Sequence, residues 1–174
     1  FRSISYSPNE KSLNLFHYAK IVENFKKDKK TNIIFEPGRI IVGNTSILVS
    51  KVIYIKKSNN KIFIILDAGM NDLMRPALYD AHHEILPVKK NKKKINGNIE
   101  FVGPVCESAD KFLNKKKISL LKEGDYVAIT NVGAYGMTLT SNYNARPIIA
   151  EILVSGSKHK LIKKRQSLKN LINA

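Results

Sequence analysis

A mainly β chain with some α-helix, in which an α/β unit leads into a β-sandwich or barrel, is the fold class that three observations predict. Residues 13–27 repeat apolar side chains at helical spacing, and a short apolar run follows at 32–36. From residue 45 the pattern changes to β-branched runs of strand length, punctuated by SNN, NG, EGD and SGS. With 174 residues and 43% hydrophobic content, the chain is long enough to bury a core as one domain, or as one domain plus a piece of another.

The elements follow in order. In LNLFHYAKIVENFKK, Leu15, Tyr18, Ala19, Val22 and Phe25 share a helical face. Ser12 is placed to cap that helix, and lysines gather at its C-terminal end, where the backbone carbonyls favour positive charge. The polar turn DKKTN leads to NIIFE, which predicts a buried strand ended by Pro37 and Gly38. Helix, tight loop and strand form the rhythm of an α/β unit. TSILVSKVIYIKK and KIFIILDAG predict a hairpin across SNN, and further strands are expected at HEILPV, NIEFVG, DYVAIT, PIIAEILVSG and HKLIKKR. In IIAEILVS, Ile149, Glu151, Leu153 and Ser155 alternate with Ile148, Ala150, Ile152 and Val154, predicting a sheet with one well-buried face. SLKNLIN predicts a short closing helix. No repeat or low-complexity linker interrupts the chain, so the boundary near residues 40 to 45 is expected to be packed.

A net charge of +16 and a pI near 9.9 raise the question of an anionic partner. The lysines come in runs at 26–30, 89–94, 115–117 and 163–164, expected at turns or segment ends where they would be solvated. Only five of the thirty basic residues are Arg, and no aromatic RNA-binding motif is interleaved with them, so nucleic acid is not the expected partner. One cysteine allows no internal disulfide, which suits a reducing cytoplasm. Apolar runs such as IFIIL fall short of the ~20 residues a spanning helix needs, so no membrane segment is expected. The chain begins with Phe and carries no export signal, and it is expected to be part of something longer.

Four stretches carry chemistry. In EPGR (36–39), Gly38 permits close backbone approach and Arg39 adds a fork-shaped cation. In AGMNDLMRPALYDAHH (68–83), a helical turn would put Arg75 and Tyr79 on one face, able to hold a carboxylate between guanidinium and phenol. Arg before Pro requires that turn to be irregular or to begin at Pro76. His82 and His83 point apart on any regular element and lack further ligands at useful spacing, so no metal is expected. GPVCES holds the sole thiol, Cys106, before Glu107. In NVGAYGMTLTSNYNARP (131–147), glycines flank Ala134 and Tyr135, so a sharp turn can present the tyrosine hydroxyl.

The order EPGR, MNDLMRPALYDAHHEILPV, VGPVCES, EGD, GAYGMTLTSNYNARP resembles the C-terminal part of the diaminopimelate decarboxylases, pyridoxal-phosphate enzymes of the alanine-racemase-like group. The match runs from about residue 13 to the KKR near the end. The MNDLMRPALY block, and Glu rather than Asp after the cysteine, point to that branch rather than to the arginine, ornithine or carboxynorspermidine enzymes. A non-catalytic, decarboxylase-like interaction module is the other alternative.

The resemblance implies a fold-type III architecture. Residues 1–40 would be the C-terminal remnant of a cofactor-binding (β/α)8 barrel, and residues 41–174 the β-domain that completes the active site, with site groups shared across a homodimer. It implies that Glu36 contacts the pyridinium nitrogen of pyridoxal 5'-phosphate and that Gly38 and Arg39 hold its phosphate, Arg39 also reaching substrate. Arg75 and Tyr79 would clamp a carboxylate of meso-diaminopimelate, Glu107 would accept its distal ammonium, and Tyr135 would contact cofactor and substrate. Cys106 would be the proton donor in forming L-lysine, it and Glu107 coming from the neighbouring subunit. None of the lysines here lies in the family's Schiff-base motif, so the isolated chain is expected to be inactive without a barrel segment.

Overall fold

The computed structural model describes residues 13–173. The elements are α1 (Leu15–Lys26), β1 (Leu48–Ser58), β2 (Lys61–Leu66), α2 (Arg75–Tyr79), β3 (Ile85–Pro87), β4 (Lys94–Val102), β5 (Lys111–Ser119), β6 (Tyr126–Ile129), β7 (Glu151–Ser155), β8 (Lys158–Lys163) and α3 (Leu168–Ile172). Among the described residues no helix is long and apolar enough to cross a membrane.

The amphipathic pattern at 13–27 does form α1. Its cap is Asn14, whose side chain accepts from the His17 N–H at 3.0 Å; the expected cap, Ser12, lies outside the described residues. No α1 residue is buried, and Tyr18 packs edge-on against Phe35 with ring centroids 6.1 Å apart.

The strand expected at NIIFE is not formed. The segment has no ladder partner among the described strands, and Ile34 is 89% exposed. An extended segment becomes a strand only when a neighbour takes its N–H and C=O groups, so Glu36 stands on an exposed irregular stretch before a single 3-10 turn at Gly38–Ile40.

Six strands form one sheet in the order β3-β6-β1-β2-β4-β5. The β1–β2 hairpin is as expected, turning at Asn59 and Asn60. All neighbours are antiparallel except β2 and β4, and the residues between those two, α2 and β3 included, give the long connection a parallel pair needs. The sheet curls into a nearly closed barrel. Its edge strands β5 and β3 meet where the Lys115 ammonium pairs with the Glu84 carboxylate and donates to the Ile85 carbonyl at 3.1 Å. Inside, Val52, Ile64, Leu66, Ile85, Ile99, Phe101, Val127 and Ile129 are fully excluded from solvent.

β5 is a strand that the lysine run concealed. Lys115, Lys116 and Lys117 lie within it, not at a segment end as expected, because Phe112, Leu113 and Ile118 supply enough apolar side chains to seat the strand. The lysines left outside charge an edge strand, which discourages pairing with other chains.

The buried face expected for IIAEILVS is also absent. β7 and β8 form a separate two-stranded sheet in which Ile152, Leu153 and Val154 are 58%, 55% and 68% exposed. Period-two alternation buries a face only where another layer covers it, and among the described residues no strand of the larger sheet pairs with this hairpin. Ser167 caps the expected closing helix, α3.

Residues 38–46 are fastened to the loop after β6. Val132 N–H donates to Ser46 O and Gly133 N–H to Gly43 O, both at 3.2 Å. Gly133 lies so close to the Val42 carbonyl that any Cβ would overlap it.

Replacing Ile129 by Ala opens a void in this core and is expected to cost about 2–5 kcal/mol, whereas Leu153→Ala on exposed β7 should stay within about 0.5 kcal/mol. Urea unfolding of the chain checks both; equal losses would contradict the described packing.

Candidate functional site

α2 begins where the sequence made helix awkward. Pro76 sits in its first turn, where the missing N–H has no intrahelical role. The helix stops at Asp80, which takes a left-handed conformation (φ 49°). One turn is enough to set the Arg75 guanidinium 5.5 Å from the Tyr79 ring centroid, and the Tyr135 ring lies 5.4 Å from the same cation.

Tyr135 is presented by a strained turn. Its φ of 62° costs a side-chain-bearing residue about 1–2 kcal/mol. Gly136 next to it abuts the Val132 carbonyl, where a Cβ would overlap, so the tight path depends on the flanking glycines. Gly38, itself at φ 51°, comes so near that a Cβ there would lie 3.2 Å from the Tyr135 hydroxyl oxygen. EPGR and GAYG, far apart in sequence, therefore meet. Arg75, Tyr79, Tyr135 and Leu139 line a cavity of about 360 Å³.

Behind the cationic group lies His83, fully buried while its neighbour His82 is partly exposed and reaches Glu84 at 3.5 Å. The His83 Nδ1 is 2.9 Å from the Thr130 carbonyl, so Nδ1–H is the donor. Burial, chiefly, and then the positive charges of Arg75, His82 and Arg39 hold this imidazole below its ordinary pKa, against the opposing Thr130 contact. A cation between phenols, with a glycine cradle beside it, suits a carboxylate or phosphate, and so fits a phosphorylated cofactor and an amino-acid ligand.

Of the expected site residues, Gly38, Arg75, Tyr79 and Tyr135 are brought together, with half-buried Arg39 close enough to act on His83. Cys106 and Glu107 are exposed on the β4–β5 loop and do not line that cavity. The Tyr143 hydroxyl donates to Glu107 Oε2 at 3.4 Å. Glu36 is exposed.

Sequence reasoning missed the partly buried polar hub beside these loops. Arg146 donates from Nε to Asn71 Oδ1 at 2.9 Å and from its terminal nitrogen to Asp67 O at 2.5 Å, and lies 3.5 Å from Asp72 Oδ2. Asp72 Oδ2 also accepts from Gly69 N–H at 2.9 Å, and Asn71 O from Ser141 N–H at 3.1 Å. Burial pushes the Asp72 carboxyl pKa up, with the Gly69 bond and the Arg146 charge opposing. Both blocks, MND and NARP, are visible in the sequence. Their pairing across 74 positions is not.

A family profile described as pyridoxal-dependent decarboxylase, C-terminal sheet domain, matches residues 6–133. The chain is similar to diaminopimelate decarboxylase from Zymomonas mobilis, 48% identical over 155 residues (89% of this chain, 36% of that protein), and to the Aquifex aeolicus one, 42% over 165 residues (94% and 39%). The crystal structure of diaminopimelate decarboxylase from Helicobacter pylori complexed with L-lysine superposes with a TM-score of 0.88 at 41% identity, over 98% of this chain and 41% of that one. The chain thus spans about two-fifths of the length of the relatives it matches.

Because His83 binds protons less readily folded than unfolded, the unfolded state takes up more protons as pH falls below about 6.5. Stability should therefore drop on acidification from neutrality, and His83→Gln should remove that part of the slope. Asp72 and Asp110, with raised pKa values, contribute with the opposite sign above 3.8, so wild type and variant must be compared at each pH. Identical slopes in denaturant titrations of the two would exclude the described burial of His83.

Proposed function

Since this chain belongs to the pyridoxal-dependent decarboxylases, matching their C-terminal sheet domain, we propose that it is the carboxy-terminal part of an enzyme converting meso-2,6-diaminopimelate to L-lysine and carbon dioxide, the last step of lysine biosynthesis. The observation that carries this reading is the gathering of Arg75, Tyr79 and Tyr135 around one cavity, with Gly38 beside the Tyr135 hydroxyl. The names of the similar proteins, and the L-lysine in the Helicobacter pylori complex, support the choice of substrate.

The substrate has an ammonium and a carboxylate at each end, and the chain's residues divide accordingly. Arg75 and the Tyr79 hydroxyl hold a carboxylate, Arg39 adds a second cation, and Glu107 takes the distal ammonium. Glu36 would contact the pyridinium nitrogen of pyridoxal phosphate, Gly38 and Arg39 would hold its phosphate, and Tyr135 would contact cofactor and substrate. The cofactor's contribution, when bound, is an electron-accepting ring for the pair left by the departing carboxylate. Cys106 would give its Sγ proton to the carbon that the carboxylate leaves, where the electron pair left behind forms the new C–H bond, and the resulting thiolate would be reprotonated from water.

Cys106 and Glu107 act in the partner's site of a homodimer, which accords with their standing outside the cavity lined by Arg75. Residues 1–40 would be the C-terminal remnant of a cofactor-binding (β/α)8 barrel, distinct from the six-stranded sheet, whose remaining part would supply the Schiff-base lysine and cover exposed Phe16, Ile34 and Phe35. The chain by itself is inactive. A cytoplasmic location fits its free thiol.

The complete enzyme is expected to release L-lysine from the meso isomer, whereas preferential turnover of arginine or ornithine would overturn the substrate. This chain mixed with pyridoxal phosphate alone should give no imine absorbance reducible by borohydride at a single lysine. Arg75→Met is expected to raise KM about 10- to 100-fold, as loss of a charge-assisted hydrogen bond implies. Cys106→Ala should lower kcat at least about 100-fold and loosen the coupling of decarboxylation to correct protonation; wild-type kcat and product ratio would remove Cys106 from the chemistry.

A further inference from the structure

We propose that Asp110 is the positioning residue for Cys106 and Glu107: its buried carboxylate sets the path of the loop that carries them and fastens that loop to the segment after β2. The inference rests on the decarboxylase reading only for its catalytic consequence.

β4 ends at Val102 and β5 begins at Lys111, so the intervening residues must reverse the chain while offering two functional side chains to solvent. Asp110 organises the reversal from its base. Oδ2 accepts the Val105 N–H and Oδ1 the Met70 N–H, each at 2.7 Å. The Asp110 backbone closes the same loop, its N–H donating to Glu107 O and its carbonyl accepting from Gly103 N–H, both at 3.0 Å. Cys106 lies between the two residues, Val105 and Glu107, that Asp110 holds. Gly103 rests against the carboxylate so closely that a Cβ would overlap both oxygens, so a glycine there is required by Asp110 itself.

Burial makes the choice of residue informative. Asp110 is 3% exposed, although Cys106 and Glu107 on the same loop are exposed. A carboxylate is unfavourable in that position unless its lone pairs are filled, and burial does raise its proton affinity. Two N–H donors converging from different segments call for a group that only accepts. Asparagine would turn an NH2 toward one of them.

The connection extends further. Met70 precedes Asn71, which Arg146 and Ser141 grip, and Tyr143, in the same loop as those two, reaches Glu107. The Cys106–Glu107 loop is thus held at its base by Asp110 and at its tip through Tyr143.

Cys106 is the only thiol, so alkylation of the chain reports on this loop alone. In isotope-labelled wild-type chain, scalar couplings across hydrogen bonds should join the Met70 and Val105 amides to Asp110 Cγ; absence of both overturns the proposal. In Asp110→Asn, amide exchange at Met70 and Val105 should rise about tenfold and the pH profile of Cys106 alkylation should shift. Ile129→Val, a core change, should leave that profile in place. Uniformly faster exchange across the sheet with an unchanged alkylation profile would make Asp110 merely structural. In the complete enzyme Asp110→Asn should reduce kcat and the fraction of correctly protonated product. Failure of wild-type enzyme to form lysine would overturn the proposed reaction, and the couplings and alkylation would still decide the role of Asp110.

Discussion

The long loops of this chain are tied together by a small, partly buried polar hub in which Arg146 grips Asn71, Asp72 and the Asp67 carbonyl. The barrel strands alone would leave the three long loops after β2, β4 and β6 as independent excursions. The hub joins the first to the third, and Asp110 joins the first to the second through Met70. Asn71, Asp72 and Asp110 are buried, where an unmatched polar group is costly, so their partners hold the loops in one mutual arrangement.

The barrel provides the other half of the design. Its core is built from aliphatic and aromatic side chains contributed by every strand of the sheet, and the sheet's edges are closed by one lysine, Lys115, reaching from β5 to β3. That rigid body fixes where the loops begin and end. It does not fix their course, which depends on glycines at positions where a side chain would overlap backbone: Gly133 against Val42 and Gly136 against Val132. The strained backbone of Tyr135 is held between those constraints, an arrangement in which local strain is offset by the surrounding packing.

Two groups of site residues result, and they differ in character. Arg75, Tyr79 and Tyr135 converge around a cavity, with Gly38 beside the Tyr135 hydroxyl and His83, whose pKa burial lowers, behind Arg75; the guanidinium favours an anionic ligand. Cys106 and Glu107 stand outward on their own loop, with an acid, a thiol and the Tyr143 phenol turned to solvent. One group is concave and the other projects, which is the geometry that the proposed completion of the site by a second subunit would use.

The sequence by itself determined the class of fold, the hairpin at the start of the sheet, the helix at 15–26 and the four motifs that are candidates for chemistry. These are legible because periodicity, turn residues and the types of side chain act locally. It misled where burial depends on a neighbour. Among the described residues NIIFE has the composition of a strand but no ladder partner and IIAEILVS alternates without a layer to cover it, while β5 hid its apolar face behind Lys115–Lys117. The tertiary structure alone decided that EPGR meets GAYG beside Arg75, that Asn71 and Asp72 belong with Arg146, and that Asp110 governs the cysteine loop. The physical reason is the same in each case: these are contacts between residues distant in the chain, made specific by hydrogen-bond direction and by the absence of a Cβ, neither of which leaves a periodic trace in sequence.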